Sequence, residues 1–227
     1  MKPPEQLWLT RAVLTGAQAA ALTRNASHMH RKVMAMFPDG LGDQARRTAG
    51  ALYRLEPSGP RIQLLVQSGI APDLTGFDQA RTVSLLPLLE NLTRGRTVHY
   101  RIAANPVKAV PDPADPKKRG TRKALYGAEA EKWWRRKAEQ AGLAPDLVSS
   151  QRHDLASDPP LTRHKRARHQ DPGEEGKAKR LFNSGVRFDG TAEITDPDLL
   201  LPALLEGIGR GRSYGLGMLS LAPAGRR

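Results

Sequence analysis

Apolar positions divide the first part of the chain into short segments of strand and helix. Leu7 to Leu14 is an apolar-rich run typical of a strand, and Ala26 to Phe37 carries apolar residues at helical spacing. Ala51 to Leu55 and Arg61 to Gln67 are separated by a Glu-Pro-Ser-Gly-Pro turn, which predicts a hairpin. A weaker apolar stretch, Thr82 to Leu89, is expected to close this first unit.

A second unit begins after the polar residues Asn91 to Arg96 with an extended segment, Thr97 to Pro106. A basic connector, Lys117 to Lys123, leads to a helix predicted from Tyr126 to Ala141. The remaining strand, helix and strand are predicted at Gly185 to Ile194, Pro197 to Glu206 and Leu216 to Leu221.

Both units fit the order β-α-β-β-α-β, the second more fully than the first. A chain of 227 residues is also long enough for two compact domains of about 100 residues each. We therefore predict an α+β protein with two tandem ferredoxin-like (RRM-like) domains, residues 1–94 and 95–227.

The chain is strongly basic, with 36 Lys and Arg against 23 Asp and Glu and a net charge of +13, which favours a polyanionic partner. A membrane is the competing partner, but there is no apolar run of about 18 residues and no N-terminal signal pattern, so we expect an unexported, cytoplasmic protein. The absence of cysteine excludes disulfides, cysteine-ligated zinc and a thiolate nucleophile.

The stretch GIGRGRSYGLG, residues 207–217, combines five glycines with two arginines. Glycine loops that bind nucleotides usually follow a strand and precede a helix; this one has the reverse order, so a nucleotide cofactor is not expected. Its glycines can serve simply as a turn that lets a helix pack closely on a sheet. They can also let a phosphate backbone approach and pair with Arg210 and Arg212. Four of the five glycines are the candidate RNA contacts: Gly207, Gly209, Gly211 and Gly215.

Six segments together resemble a known family. The most specific is the last, in which a helix, a multi-glycine loop and a terminal LSLAP strand follow one another. The segments are WLTRAVL from Trp8, HMHRKV from His28, YRIAANPVK from Tyr100, EAEKWWRRK from Glu129, SGVRFDGTAEI from Ser184 and GIGRGRSYGLGMLSLAP from Gly207. They are similar to the CRISPR repeat-processing endoribonucleases of the CasE type, the RNA-cutting subunit of the type I-E Cascade complex.

The resemblance implies two tandem ferredoxin-like domains that bind the stem-loop of a CRISPR repeat and cut the precursor RNA at the 3′ base of the stem. It implies attack by the upstream 2′-hydroxyl without a metal or other cofactor, leaving a 2′,3′-cyclic phosphate or 3′-phosphate and a 5′-hydroxyl. It also implies that the enzyme stays on the mature guide RNA and joins the other Cascade subunits.

The family's catalytic histidine lies on the first helix, and the resemblance assigns that place to His30. His28 is the rival, but two residues along a helix turn the side chain by about 200°, so the two cannot chelate one metal. Imidazole can act as base or acid at neutral pH, and nearby positive charge would lower its pKa. Members commonly carry a tyrosine where this chain has Ser27. Ser27 is a catalytic candidate from the same helix face, and a simple helix cap is the alternative. Tyr214 is another group that could take the place of the tyrosine. Arg31 matches a basic family position and is expected to stabilise the phosphorane.

The family lays a basic helix along the RNA, which the resemblance assigns to Lys132, Arg135 and Arg136. An ordinary solvated face is the alternative. Trp133 and Trp134 of the same helix are expected in the core rather than as stacking platforms.

Residues 163–180, RHKRARHQDPGEEGKAKR, resemble the family's basic hairpin near the scissile phosphate. Alternation around a central turn predicts two strands, and a flexible charged loop is the alternative. The candidate phosphate contacts are Arg163, Lys165, Arg166, Arg168 and Lys177.

Two other classes of protein stay open. A non-catalytic CRISPR RNA-binding scaffold would share the fold, and the serine at position 27 gives that class weight. A basic ribosome-associated or DNA-binding protein would explain the charge but not the ordered motifs.

Overall fold

The structure is a computed structural model that describes residues 3–14, 16, 19, 26–59, 61–111, 121–153, 161–162, 180–181 and 184–224. Within these ranges the strands form two four-stranded antiparallel sheets and two two-stranded ladders. No helix in the described ranges is both long enough and apolar enough to cross a membrane.

The first sheet has the strand order β2-β3-β1-β4. Its strands are β1 (Trp8–Leu14), β2 (Leu52–Ser58), β3 (Arg61–Ser68) and β4 (Ala80–Ser84), and the helices in this part of the chain are α1 (Ala26–Met34), α2 (Ala45–Thr48) and α3 (Leu86–Leu89). Met29 and Val33 of α1 are buried in one core with Leu14, Leu64 and Val66 of the sheet. This packing fixes which face of α1 points away from the sheet.

Three boundaries in this half differ from the prediction. α1 ends at Met34 rather than Phe37, because the main-chain N–H groups of residues 36 and 37 donate three residues back instead of four. β2 runs through Pro57 to Ser58, which is possible because β2 is an edge strand. The segment predicted as one apolar stretch, Thr82 to Leu89, divides into the end of β4 and the short helix α3.

The first half also lacks one predicted element. Residues 69–79, between β3 and β4, form turns and bends with no helix. The order β-α-β-β-α-β is therefore incomplete here, although the four strands keep the antiparallel pairing.

The second sheet has the strand order β12-β5-β11-β8. Its strands are β5 (Thr97–Ala104), β8 (Leu143–Arg152), β11 (Val186–Ile194) and β12 (Leu219–Pro223), with helices α4 (Gly127–Glu139) and α5 (Pro197–Glu206). Two ladders are inserted, β6 (Val107–Val110) with β7 (Thr121–Ala124), and β9 (Leu161–Thr162) with β10 (Arg180–Leu181). Along the chain the sheet strands and helices follow the order β-α-β-β-α-β, which was predicted for the second unit.

The core of the second sheet is aromatic. Trp134 of α4 stacks on Phe188 with ring centroids 5.7 Å apart and lies 5.3 Å from the ring of Tyr100. Trp133 and Trp134 are both buried, so the prediction that they belong to the core is confirmed. Asp196 caps α5 by accepting hydrogen bonds from two main-chain N–H groups of its first turn.

Strands β6, β7 and β8 of this half were not predicted. β8 contains Pro145 and Asp146, which are poor strand formers, and its pairing register with β11 shifts at Thr191 and Ala192 to accommodate the irregularity. The end of the predicted basic connector, residues 121–124, is strand β7 rather than a plain linker.

Side chains of the first sheet donate hydrogen bonds to main-chain carbonyls of the C-terminal segment. Gln67 Nε2 donates to the carbonyl of Leu204 at 2.8 Å, and Arg54 Nη1 donates to the carbonyl of Met218 at 3.0 Å. Arg54 is only 2% exposed and also begins a ladder of ion pairs, Arg54–Glu56–Arg101–Asp189–Arg187, that runs from β2 to β5 and β11. The two sheets are thus tied together by buried and half-buried polar contacts.

Candidate functional site

An open cleft of about 600 Å³ lies where α1, α2 and the glycine-rich segment meet. α1 contacts the 3-10 helix Arg212–Tyr214 of that segment, which brings together residues almost 200 positions apart. The cleft is lined by one histidine and three arginines, His30, Arg46, Arg47 and Arg212. The other lining residues are Met34, Asp43, Gln44, Ala45, Gly50, Leu205, Glu206 and Ser213.

His30 is half-buried at the wall of this cleft. Burial, then the charge of Arg46 and then that of Arg31 lower the pKa of its imidazole below the usual value of 6.5. Its Nδ1 is buried and has no hydrogen-bond partner among the described residues. At neutral pH the imidazole is therefore mainly uncharged and able to accept a proton.

The other predicted residues of α1 occupy different positions. His28 is exposed, in keeping with the predicted divergence of the two histidines. Arg31 is exposed and is not one of the described residues that line the cleft. Ser27 belongs to α1, but its side chain lies outside the described part of the structure.

Arg46 is a cleft residue that the sequence did not single out. It lies on the four-residue helix α2, too short for a periodic pattern, and its Nη1 donates a hydrogen bond to the carbonyl of Ala51 at 3.0 Å. Arg212 Nη1 donates to the carbonyl of Glu206 at 2.7 Å. Burial, then the charge of Arg212 and then that of Arg47 lower the pKa of Arg46, and all three arginines line the same cleft.

The glycine-rich segment is a tight turn packed on the first sheet. Gly207, Gly209, Gly211 and Gly215 all have φ between 77° and 84°, a region in which side-chain-bearing residues are strained. A Cβ at Gly207 would lie 2.9 Å from the carbonyl oxygen of Gly217 and 3.0 Å from Leu52, and one at Gly215 would lie 3.0 Å from the ring of Tyr53. Close packing thus explains the glycines at positions 207 and 215.

The two predicted arginines of the same segment occupy different positions. Arg210 is exposed, whereas Arg212 is half-buried and lines the cleft. The hydroxyl of Tyr53 donates to the carbonyl of Ser213 at 3.1 Å, which holds the 3-10 helix on β2. Tyr214 is half-buried and is not among the described lining residues.

The basic face of α4 is exposed, as predicted for Lys132, Arg135 and Arg136. Lys132 pairs with Glu129 at 3.4 Å, and Arg135 Nη1 donates to the carbonyl of Pro145 at 2.8 Å. Trp133 of the same helix lies 3.5 Å from where a Cβ on Gly209 would be, so α4 adjoins the glycine-rich segment.

The basic hairpin residues Arg163, Lys165, Arg166, Arg168 and Lys177 lie outside the described residues. On either side of them, Leu161 pairs with Leu181 and Thr162 with Arg180, so the two ends of the segment meet. Within the described ranges, no three His, Cys, Asp or Glu side chains are grouped so that they could hold a metal ion.

The chain thus combines two four-stranded antiparallel sheets with a cleft that is lined by one histidine and three arginines. The chain belongs to the CRISPR-associated protein family: the family model described as "CRISPR associated protein" matches residues 7–223. The family expected from the sequence is therefore confirmed.

Individual relatives are similar over nearly the whole chain. The CRISPR-associated endoribonuclease Cse3 of Thermus thermophilus is 32% identical over 225 residues, covering 96% of this chain and 100% of the relative. The Cascade subunit CasE of Escherichia coli is 27% identical over 227 residues, with 96% and 100% covered. The solved structure of Thermus thermophilus Cse3 bound to an RNA representing a pre-cleavage complex has a TM-score of 0.72 and 29% identity, and the match covers 96% of this chain and 100% of that one.

Proposed function

We propose that this protein is an endoribonuclease that binds the stem-loop of a CRISPR repeat and cleaves the precursor RNA at the 3′ base of the stem. The observation that carries the proposal is the half-buried His30, whose pKa is lowered, in a cleft lined by arginines. The full-length similarity to a CRISPR-associated endoribonuclease supports it.

The chemistry follows from the cleft. The neutral imidazole of His30 accepts the proton of the 2′-hydroxyl upstream of the cut, and the 2′-oxygen attacks the adjacent phosphorus. The bond from phosphorus to the 5′-oxygen breaks, and that oxygen leaves as a 5′-hydroxyl after taking a proton from water. The product end is a 2′,3′-cyclic phosphate, which hydrolysis converts to a 3′-phosphate.

No metal ion takes part in this proposed reaction. The attacking nucleophile is a hydroxyl of the RNA itself, so a metal-bound water is not needed. Proton transfer and positive charge are the two requirements of the step, and both are available from side chains of the cleft.

The RNA is held by basic surfaces on either side of this cleft. We assign the stem to the exposed face of α4, with Lys132, Arg135 and Arg136, and phosphates near the cut to Arg210 and Arg212. The basic residues of the segment 163–180 remain candidates for the base of the stem. Contacts to an A-form stem are mainly to its shape and phosphates.

The fold and the assembly are proposed in the same way. We assign two ferredoxin-like domains, residues 1–94 and 95–227, because each four-stranded sheet draws all its strands from one of these ranges. We also propose that the enzyme stays on its cleaved RNA in the cytoplasm and joins other Cascade subunits. The name of the CasE relative, a Cascade subunit, supports the last of these points.

The test is cleavage of a repeat hairpin in excess EDTA. We expect cutting at the 3′ base of the stem to continue in EDTA, and 2′-deoxy substitution at the nucleotide before the cut to abolish cleavage while sparing binding. Loss of cleavage in EDTA, or cutting of the 2′-deoxy RNA, would refute the proposed mechanism.

A non-catalytic CRISPR RNA-binding scaffold is the second candidate function. Serine at position 27 favours it, because a serine hydroxyl is a poor proton-transfer group at neutral pH compared with the tyrosine common in the family. Tight binding of the hairpin without any cleavage would support the scaffold.

A further inference from the structure

We propose that Arg46 and Arg212 form a two-guanidinium site that holds the scissile phosphate beside His30. This inference rests on the proposed function and identifies the group that stabilises the reacting phosphate. The sequence assigned this role to Arg31, the neighbour of His30 in the chain. We assign it instead to Arg46, which lies on a different helix.

The first observation is how the two arginines are held. Each uses Nη1 to donate to a main-chain carbonyl, Arg46 to Ala51 and Arg212 to Glu206. A guanidinium has five N–H donors, so each arginine is oriented by one bond and retains donors for another acceptor. Planar, pre-oriented guanidinium groups are well suited to paired hydrogen bonds with phosphate oxygens.

The second observation is that Arg46 and Arg212 share one cleft, which Arg47 also lines, without an ion pair to a carboxylate in the described part of the chain. Neither Arg46 nor Arg212 forms an ion pair with a carboxylate among the described residues, although Asp43 and Glu206 also line the cleft. Two neighbouring cations repel each other, and Arg46 is half-buried. An anion that bridges them would relieve this repulsion.

The third observation is that His30 lines the same cleft as the two arginines. Its imidazole, Arg46 and Arg212 all border one open cleft, while Arg31 does not. With a phosphate held by the two arginines, the 2′-hydroxyl of the preceding nucleotide would lie in the same cleft as this proton acceptor. As the 2′-oxygen attacks, negative charge grows on the non-bridging oxygens, where the two guanidinium groups stabilise it.

The main experiment measures single-turnover cleavage of the repeat hairpin by Arg46→Ala, Arg46→Lys and Arg61→Ala. Arg61 is an exposed arginine at the start of β3 and serves as the charge-matched control. We expect Arg46→Ala to lose about 10²- to 10³-fold in rate, the loss typical of one missing transition-state donor, and Arg46→Lys to lose less. Binding of the 2′-deoxy hairpin should change far less, and Arg61→Ala should cleave at the wild-type rate.

Added guanidinium ion separates a chemical role of Arg46 from a structural one. Because a small cation can occupy the vacated space, we expect it to restore part of the rate of Arg46→Ala without changing that of Arg46→Lys. Circular dichroism would verify that the variants are folded. A wild-type rate for Arg46→Ala would overturn the inference, as would a loss of hairpin binding equal to the loss of rate.

A titration with inorganic phosphate keeps this inference separate from the proposed function. Monitored by NMR at the His30 ring, phosphate should shift the resonances of the wild type and of Arg61→Ala, but not of Arg46→Ala or Arg212→Ala. Shifts in a wild type that cuts no RNA would support the phosphate site and refute the endoribonuclease. Cleavage by the wild type together with identical titrations of all four proteins would refute the site and leave the endoribonuclease standing.

Discussion

The chemistry of His30 is set by residues that are distant from it in the sequence. Burial lowers the pKa of the imidazole most, and Arg46 on α2 lowers it more than the adjacent Arg31 does. A neutral imidazole at physiological pH is suited to accepting a proton. The fold therefore favours the neutral imidazole because it buries the ring and brings α2 close to α1.

We predict that His30 titrates below pH 6.5 and that Arg46→Ala raises its pKa more than Arg31→Ala does. Removing a nearby positive charge makes the protonated ring less unfavourable, so the pKa rises. Because only the neutral ring accepts a proton, the rate of RNA cleavage should fall as the pH drops through this pKa, and the fall should begin at higher pH in Arg46→Ala. NMR titration of the ring protons measures the pKa; a larger shift in Arg31→Ala would contradict the ordering.

At the scale of elements, the glycine-rich segment joins α1, β2 and α4. Its main chain is fixed by hydrogen bonds from Gly217 to the carbonyl of Ala103 at 2.6 Å and from Ile208 to the carbonyl of Gly217 at 2.8 Å. The glycines permit this geometry, and the 3-10 helix then presents Arg212 to the cleft.

We predict that Gly217→Ala is more destabilising than Gly40→Ala. Both glycines have similar positive φ, 88° and 84°, so both variants incur backbone strain of about 1–2 kcal/mol. At Gly217 the new Cβ would also lie 2.7 Å from the carbonyl oxygen of Ile208, whereas Gly40 has open space, and the clash should cost about 1–3 kcal/mol more. Equal losses in the free energy of unfolding, measured with urea, would contradict the close packing.

The basic face of α4 allows a prediction about RNA binding. Within the described residues the Arg136 side chain has no ion pair or hydrogen bond, whereas Lys132 is paired with Glu129. We expect Arg136→Ala to weaken binding of the repeat hairpin and to reduce the salt slope by about 1, the value for one lost phosphate contact. Lys132→Ala is the matched variant and should have a smaller effect. Unchanged affinity and slope in Arg136→Ala would indicate a solvated face.

At the scale of the whole molecule, the ladder that begins at Arg54 joins the two sheets. Glu56 accepts from Arg54 at 2.7 Å and from Arg101 at 3.0 Å, and Arg101 in turn contacts Asp189 of β11. Arg54 also donates to Met218, next to the last glycine of the glycine-rich segment. Arg54 is therefore one of the buried side chains that hold the two sheets together.

We predict that Arg54→Ala lowers the free energy of unfolding by about 3–5 kcal/mol, because it removes a buried guanidinium that pairs with Glu56 and donates to the carbonyls of Arg101 and Met218. Arg187→Ala, at the outer end of the same ladder, should cost about 1 kcal/mol or less, since Asp189 keeps its contact with Arg101. Urea unfolding of both variants checks this difference. Similar losses in the free energy of unfolding would mean that the buried end of the ladder stabilises the protein no more than the outer end does.

The sequence predicted the elements with clear periodicity and missed those held by tertiary contacts. α5, with its Asp196 cap, has the predicted bounds, and the tryptophans of α4 are buried as expected. β8 was missed because Pro145 and Asp146 hide a strand that is stabilised by pairing with β11. Arg46 was missed because a four-residue helix carries no pattern, and only the folded chain brings it beside His30.

The most direct test of the account compares wild type and His30→Ala on the repeat hairpin in EDTA, with binding and cleavage measured in parallel. We predict that both proteins bind the RNA with similar affinity and that only the wild type cuts at the 3′ base of the stem. Cleavage by His30→Ala at the wild-type rate would contradict the assignment of His30. Binding by both proteins with cleavage by neither would contradict the endoribonuclease and leave an RNA-binding scaffold.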